Sequence, residues 1–539
     1  MTNTIATTIN PIQTDAFRAT VPHTNRWKAF HRVLTHTHTY SGRDDHGGTV
    51  QPPHSYRMLA DWAERMGIEA IGMGSPYTPG LVHAYQRFDA HAAHRYYGDP
   101  SFDRLSVRGD GEIQRMLEEI NAISGGRTQF YLDNETPKGR YGHLWWVGYD
   151  LDFPAWHDYD QIFDRWMCRD MAAMEDIDEP MPYERRPYRQ IVAMQRKAGA
   201  LGFWAHPTSW WRGNDGRFIT NIASEMPAHV IADGYVDGMV IMGYRSWRPE
   251  YMAVWFMMLD RGYRVTGVAE EDCGLSREQT WERQSALTNH VHVEGDDLSV
   301  AALTQGFAAG RLSATNGPMI DLAVDGQPMG SVASTTAGRA HRVKIWIDPM
   351  GAVGRLDLVS RGGEVVWEQE VSGPMVATID IAGSDQRSYL VARFCADASR
   401  RDGAAAVSNP VYLHPRGQSF EQPTQTRLRL KISEDSPFCG GKIHFEQADG
   451  EPIGSAKLSA GTVDESLPAS GRFTLIAPDG ATQTEYLINA NDKLMALQRY
   501  LYRGRFLRDY PHLKSGEVPP EAWRFDAHVE AMREVNLNR

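Results

Sequence analysis

The stretch Val33-Leu34-Thr35-His36-Thr37-His38-Thr39 sets the reading of this chain. Val33 and Leu34 supply the apolar run of a buried β-strand. In an extended chain, side chains two apart share a face, so His36 and His38 are expected to aim at one point. Two imidazoles converging at a strand end suit a metal ion. Around this strand, from about Phe30 to Thr315, short apolar runs alternate with helical stretches. Residues 55–67 are followed by 68–73, and residues 188–199 by 200–205. That alternation predicts an α/β fold, with β/α units around a parallel sheet or barrel.

Beyond Pro318 the apolar period shortens toward two, over residues 343–347, 356–360, 365–367 and 389–394, separated by Gly, Asp and Ser turns. This is the pattern of a β-sandwich. A link rich in Pro, Gln and Thr at 422–426 leads into a second all-β stretch, and a helical tail rich in Arg, Tyr and Trp is expected from residue 492. At 539 residues the chain is too long for one core. The expected division is an N-terminal arm over 1–28, a metal-binding β/α unit over 29–318, an Ig-like sandwich over 319–418, a small β domain over 419–490 and the tail over 491–539.

A formal net charge of −12 argues against general affinity for nucleic acid or anionic membranes. No segment has the apolar length needed to span a bilayer, and residues 1–13 lack the basic and apolar blocks of a signal peptide. The expected location is therefore the cytoplasm. The four cysteines are too widely spaced for a disulfide framework or a thiolate zinc site. Tail aromatics such as Tyr500, Tyr510 and Trp523 suggest docking on a second copy, hence a homo-oligomer.

Further clusters in the first half carry chemistry. Asp133-Asn134-Glu135 and then Gly142-His143 follow an apolar strand. The strand at 202–205 delivers His206, and the strand at 265–269 ends in Glu270-Glu271-Asp272. Histidines and carboxylates at several strand ends form a mixed nitrogen and oxygen donor set, which suits zinc, manganese or iron better than calcium or magnesium. His290-Val291-His292 is a second His-X-His, but it lies in a Val-interleaved stretch and reads as a sheet or surface feature. Cys273 has no His partner at a recognisable spacing, so a nucleophile reading is weak.

As an ordered set, these motifs resemble the polymerase and histidinol phosphatase (PHP) metallohydrolases. The usual opening His-X-His-Thr with a following Ser-Asp-Gly appears as His36-Thr37-His38-Thr39-Tyr40-Ser41-Gly42, without the Asp. The Asp-His of the second motif is replaced by Ser75-Pro76. Glu135, His143 and His206 match the third and fourth motifs. The final Ser-Asp-X-His becomes Glu271-Asp272-Cys273-Gly274, without the His. Residues 310–318 and 408–412 further resemble the barrel-to-sandwich junction and last sandwich strand of the carbaryl-hydrolase-like branch.

The resemblance implies a distorted (β/α)7 barrel followed by all-β sandwich domains. It also implies one or two divalent transition ions, because the third metal's ligands are the ones missing. One ion would lie among His36, His38, Glu135 and Asp272, the other among Glu135, His143 and His206, with Glu135 bridging. Glu270 or Glu271 stands as the alternative to Asp272, and Asp44, Asp45 or His46 would rebuild a third site.

Two metals sharing a water imply hydrolysis of an ester, carbamate or amide. Glu271, Asp272 and Arg212 are the residues expected to carry catalysis, Glu271 by passing a proton to the leaving group. Trp146, Trp204, Trp210 and Tyr244 are expected to line the mouth and favour an aromatic small-molecule substrate, with Arg245 nearby to receive an anionic group. A phosphoesterase, a metal-dependent lyase and a non-enzymatic binding module are the alternatives.

Overall fold

The computed structural model describes residues 24–38, 54–74, 112–139, 142–148, 195–197, 199–207, 210–212, 218–220, 231–232, 234, 236–243, 246–247, 249–274, 287–295, 297–396, 403–418, 420–447, 451–487 and 531–536. Helix α1 (Thr24–Trp27) precedes strand β1 (Phe30–His38), α2 (His54–Arg65) precedes β2 (Ala70–Gly74), and α3 (Glu112–Ser124) precedes β3 (Gln129–Gly139). The three strands are parallel neighbours, with Val33 opposite Ala70 and Ile71 opposite Phe130. A strand, a crossover helix and a parallel strand form the expected unit here. Helix α2 buries Leu59, Ala60, Trp62 and Ala63 while Glu64 and Arg65 face solvent, the stripe of a helix lying on a sheet.

The alternation then breaks. Strand β4 (Gly142–Val147) folds straight back on β3 as an antiparallel hairpin, and β5 (Leu201–Trp204) runs antiparallel to β4. After the small hairpin of β6 (Trp210–Arg212) and β7 (Phe218–Thr220), β8 (Gly238–Gly243) lies parallel to β5, and β9 (Ser246–Trp247) folds back on β8. Helix α4 (Pro249–Asp260) leads to β10 (Thr266–Ala269), parallel to β8. The two-residue strand β11 (Cys273–Gly274) runs parallel to the end of β1, while β12 (Thr288–His292) runs antiparallel along the start of β1. Helix α5 (Val300–Ala308) and β13 (Leu312–Thr315) follow, with β13 antiparallel to β12.

The expected (β/α)7 barrel is therefore not the fold. Among the described residues strands far outnumber five short α-helices, and the strands form a mixed sheet of seventeen. The physical reason lies in the connections. The apolar run 144–147 looks like a member of a parallel unit, but it folds straight back antiparallel on β3, which needs no crossover helix. Nor does the expected boundary at 318 separate two sheets.

The second module contains β14 (Met319–Val324), β15 (Gln327–Pro328), β16 (Val332–Thr335), β17 (Ala340–Asp348), β18 (Gly354–Val359), β19 (Val365–Val371), β20 (Met375–Ala382), β21 (Ser388–Cys395), β22 (Ala405–Ser408) and β23 (Val411–Pro415). One of its sheets, in the order β15-β14-β17-β20, stands apart, but β22 pairs with β13 and extends the large sheet through β21 to β18, β19 and β23. Ile320, Leu322, Ile345, Leu358 and Phe394 fill the core of this module.

A third module with its own core around Leu430, Phe445 and Phe473 follows. In it the strand Gln425–Ile432 pairs with Gly461–Pro468 and with Ala531–Asn536. The last of these is a strand inside the region where a helical tail is expected. Residues 491–530 lie outside the described residues. No described helix is long and apolar enough to cross a membrane.

The two short motifs around 315 and 409 meet at the β13–β22 seam. Asn316 Oδ1 accepts from the Ala405 amide at 2.7 Å, and its Nδ2 donates to the Gly403 carbonyl at 2.8 Å. Asn409, 1% exposed, accepts from the Gly267 amide at 2.7 Å and donates to the carbonyls of Gly267 and Leu312 at 2.8 and 3.0 Å. One side chain thus ties β10 to the sandwich edge. Replacing Asn409 with Ala removes the side-chain partner of both the Gly267 amide and the Gly267 carbonyl, while the Leu312 carbonyl keeps the Asn409 amide at 3.1 Å, at a cost of about 3 kcal/mol. A lower denaturant midpoint for N409A, with the secondary-structure signal retained in buffer, is the expected outcome.

Candidate metal centre

Strands β1, β5 and β10 end on the same side of the sheet, and their ends deliver His36, His206 and Asp272. Strand carboxyl ends in open parallel sheets are where ligands gather. His36 Nε2 lies 3.5 Å from Asp272 Oδ1, and His206 Nε2 lies 3.8 Å from Asp272 Oδ2. One donor atom from each residue falls within 4.8 Å of the others. Donors around a tetrahedral ion with bonds of roughly 2.1 Å stand about 3.4 Å apart, so these three fit a single transition ion with little movement. Both histidines are 1% exposed, so the ion would sit on a site largely shielded from water.

The backbone carries a further mark. Five non-glycine residues have positive φ among the described residues, and three of them are His36 at 54°, His206 at 29° and Asp272 at 42°. Side chains with a Cβ avoid this region, at a cost of about 1–3 kcal/mol per residue. Such a conformation persists only where surrounding contacts enforce it, and for the two histidines they are identifiable. Glu270, fully buried, uses both oxygens: Oε2 faces His36 Nδ1 at 2.6 Å, and Oε1 accepts from the His206 amide at 2.8 Å. Asp133 Oδ2 accepts from the His36 amide at 2.9 Å. The contact with Glu270 holds the His36 proton on Nδ1, leaving the Nε2 lone pair toward Asp272. A carboxylate behind a ligating histidine is the usual supporting arrangement at metal sites.

Other contacts fix the frame. Asn289 accepts from the Ala269 amide at 2.8 Å and donates to the Ala269 carbonyl at 2.9 Å and to Thr35 Oγ1 at 3.1 Å, locking β12, β10 and β1 together. Thr35 Oγ1 donates in turn to the Ala269 carbonyl at 2.9 Å. Gly72 has no room for a side chain, since a Cβ there would lie 2.2 Å from Asp133 Oδ2. Trp145 stacks on His36 with ring centroids 6.0 Å apart at 9°, and Phe203 stacks beneath Trp145 at 5.0 Å. Burial and the neighbouring Asp133 charge push the Tyr131 phenol well above its ordinary pKa, so it stays neutral beside this frame.

Of the residues singled out from sequence, the structure brings His36, His206 and Asp272 together. This trio takes its two histidines from the two different sets that the resemblance implied. Strand β1 shifts register between Leu34 and Thr37, so the unbroken extended geometry assumed for His36 and His38 does not hold. Glu270 lies behind His36 as its support. The Glu271 carboxylate accepts from the Leu287 amide at 2.7 Å and is 2% exposed, an anchoring position.

Trp146 and Trp204, expected at the mouth, are fully buried in the core that faces the helices. Strand alternation is the reason: on β4 it is Trp145 that turns to the opposite core, toward His36. The side chains of His38, Glu135, His143, Trp210 and Arg212 lie outside the described residues, as do Tyr244 and Arg245. Sequence reasoning missed the supporting roles of Asp133 and Trp145, although each sits beside a residue it named. His290, opposite Arg32 on β1, is buried, and burial with the Arg32 charge holds it well below its usual pKa, hence neutral.

No protein-family model and no curated protein matches this chain. Among solved structures, BcpA, the major pilin subunit of Bacillus cereus, aligns at 14% identity with a TM-score of 0.13, covering 32% of this chain and 64% of that one. Apo β-glucuronidase 3 of Bacteroides uniformis aligns at 10% identity with a TM-score of 0.15, covering 84% and 62%. The chain spans less than two thirds of either, and likenesses this slight assign it to no fold.

If Glu270 organises both histidines, Glu270→Gln should weaken binding of a divalent transition ion about 10- to 100-fold. Cobalt titration followed by visible absorption measures this. An affinity within threefold of wild type would remove Glu270 from the site.

Proposed function

We propose that this chain is a metal-dependent hydrolase of a small uncharged ester, carbamate or amide, with the ion held by His36, His206 and Asp272. The observation that carries the reading is the convergence of these three donors on left-handed backbones, with both buried histidines braced by carboxylates. Backbone strain concentrated at three residues of one cluster marks a site kept for function, because nothing in packing alone requires it. Zinc, manganese or iron fits the two-imidazole, one-carboxylate set. Such an ion, when bound, supplies Lewis acidity that polarises a carbonyl and acidifies water.

The chain's own residues supply position and environment. Glu270 keeps the proton on His36 Nδ1 and fixes the ring plane. Asp133 and the packed pair Trp145 and Phe203 keep His36 from rotating or meeting bulk water. The local charge argues for an uncharged substrate. Asp133, Glu270 and Asp272 place three carboxylates around two histidines, a field that repels a phosphoryl dianion. A carbonyl compound meets no such penalty. The aromatic character of the substrate, expected from the tryptophans, rests now on Trp145 alone among the described ones.

Elemental analysis of protein purified without chelator should show a transition metal, lost in Asp272→Asn. The wild type should cleave an aryl acetate and leave the aryl phosphate of the same leaving group intact, and Asp272→Asn should fall at least 100-fold. Absence of bound metal after reconstitution would overturn the reading, as would exclusive turnover of the phosphate.

A further inference from the structure

His292, the outer member of the second His-X-His, lines a cavity of about 330 Å³ together with Arg26, Phe30, Arg311, Asp321 and Met329. It lies at the seam between the first and second modules, where β1 and β12 begin and end. The register places Phe30 opposite His292, and the ring of Phe30 meets the imidazole edge-on at 5.1 Å. From Phe30 to His36 is six residues of strand, about 20 Å at roughly 3.3 Å per residue, so this cavity is separate from the metal centre.

Its charges do not cancel. Arg26 is engaged by Asp321, donating from Nε to Oδ2 at 2.5 Å, and its guanidinium lies over the Trp346 ring. Among the described residues Arg311 has one distant, solvent-screened ion partner: Nη1 stands 3.4 Å from Glu294, whose carboxylate is 85% exposed. Arg311 Nε is buried and meets no hydrogen-bond acceptor among the described residues. A buried donor left in this way costs free energy until an acceptor reaches it. Burial, and then the charges of Arg311 and Arg26, hold His292 below its ordinary pKa, which is consistent with positive potential in the cavity.

The remaining wall is apolar, formed by Ala29, Phe30, Pro328 and Met329. A volume at the low end of the range of roughly 300–1,000 Å³ for ligand pockets admits a one-ring molecule. The neighbouring Asp321 carboxylate disfavours a doubly charged ligand. We infer that the cavity binds a small planar monocarboxylate of the benzoate type, its carboxylate on the Arg311 fork and its ring between Phe30 and Met329.

Calorimetric titration of the full chain with benzoate tests this, with benzamide as the neutral isostere. The expected result is saturable one-site binding of benzoate. Affinity should be at least tenfold weaker for benzamide and for Arg311→Met, and unchanged in His36→Ala. Ala29→Leu narrows the cavity without touching a charge and should also weaken benzoate tenfold, which decides the matter should Arg311→Met fail to fold. No saturable binding, equal binding of benzamide, or full affinity in the folded variants would overturn the proposal. Loss of binding in His36→Ala would place the carboxylate at the metal centre and overturn it too.

Discussion

The Glu270 carboxylate, bridging the His36 ring and the His206 amide, is the constraint on which the candidate centre depends. A buried carboxylate is tolerable only if both oxygens are satisfied, and here one is given to a side chain and the other to a backbone. The two contacts belong to different strands, so the same group sets imidazole orientation and holds two strand ends together. Ligand geometry and sheet geometry are thereby linked: a shift of β10 against β1 or β5 would move the donors apart. The left-handed conformations of His36 and His206 are sustained by that linkage rather than by local preference.

Behind this centre, asparagines perform the joining that a regular barrel would achieve by repeated hydrogen-bonded strands. Asn289 reads both backbone groups of Ala269, and Asn409 reads both backbone groups of Gly267, so β10 is held from two sides by side-chain amides. Four-residue β10 is too short to gain much from ladder bonds alone. Its position is instead specified by side chains from β12 and from the loop between β22 and β23. This also explains why the first and second modules share one sheet: the motifs around Asn316 and Asn409 lock β13 to β22 and leave no free edge between them.

Much of the candidate centre was legible in the sequence because metal chemistry demands particular side chains. Histidine after an apolar strand and an acidic triplet after another are conspicuous, and His36, His206 and Asp272 were all named. Their grouping was not legible. It depends on which strands are neighbours and on the irregular backbone at His36, and local pattern contains neither. The same limit explains Trp145 and Trp146: adjacent tryptophans look alike in sequence, yet strand alternation sends one to the histidine and the other under the helices. The fold was misjudged for a related reason. Short apolar runs are compatible with parallel and antiparallel pairing, and the periodicity of a buried strand is the same in both.

What the sequence by itself determined is the inventory: an acidic chain, β-rich beyond Pro318, with a mixed nitrogen and oxygen donor set at strand ends. Those follow from side-chain chemistry and from the two-residue period of half-buried strands, which are local properties. What only the tertiary structure decided is the partnership: a mixed sheet in place of a barrel, His36, His206 and Asp272 as one trio, and Glu270 behind the two histidines. Partnership is set by contacts between residues such as His36 and Glu270, more than two hundred positions apart. Contacts at that separation are chosen by packing and polar satisfaction across the whole fold, so no local window of sequence contains them.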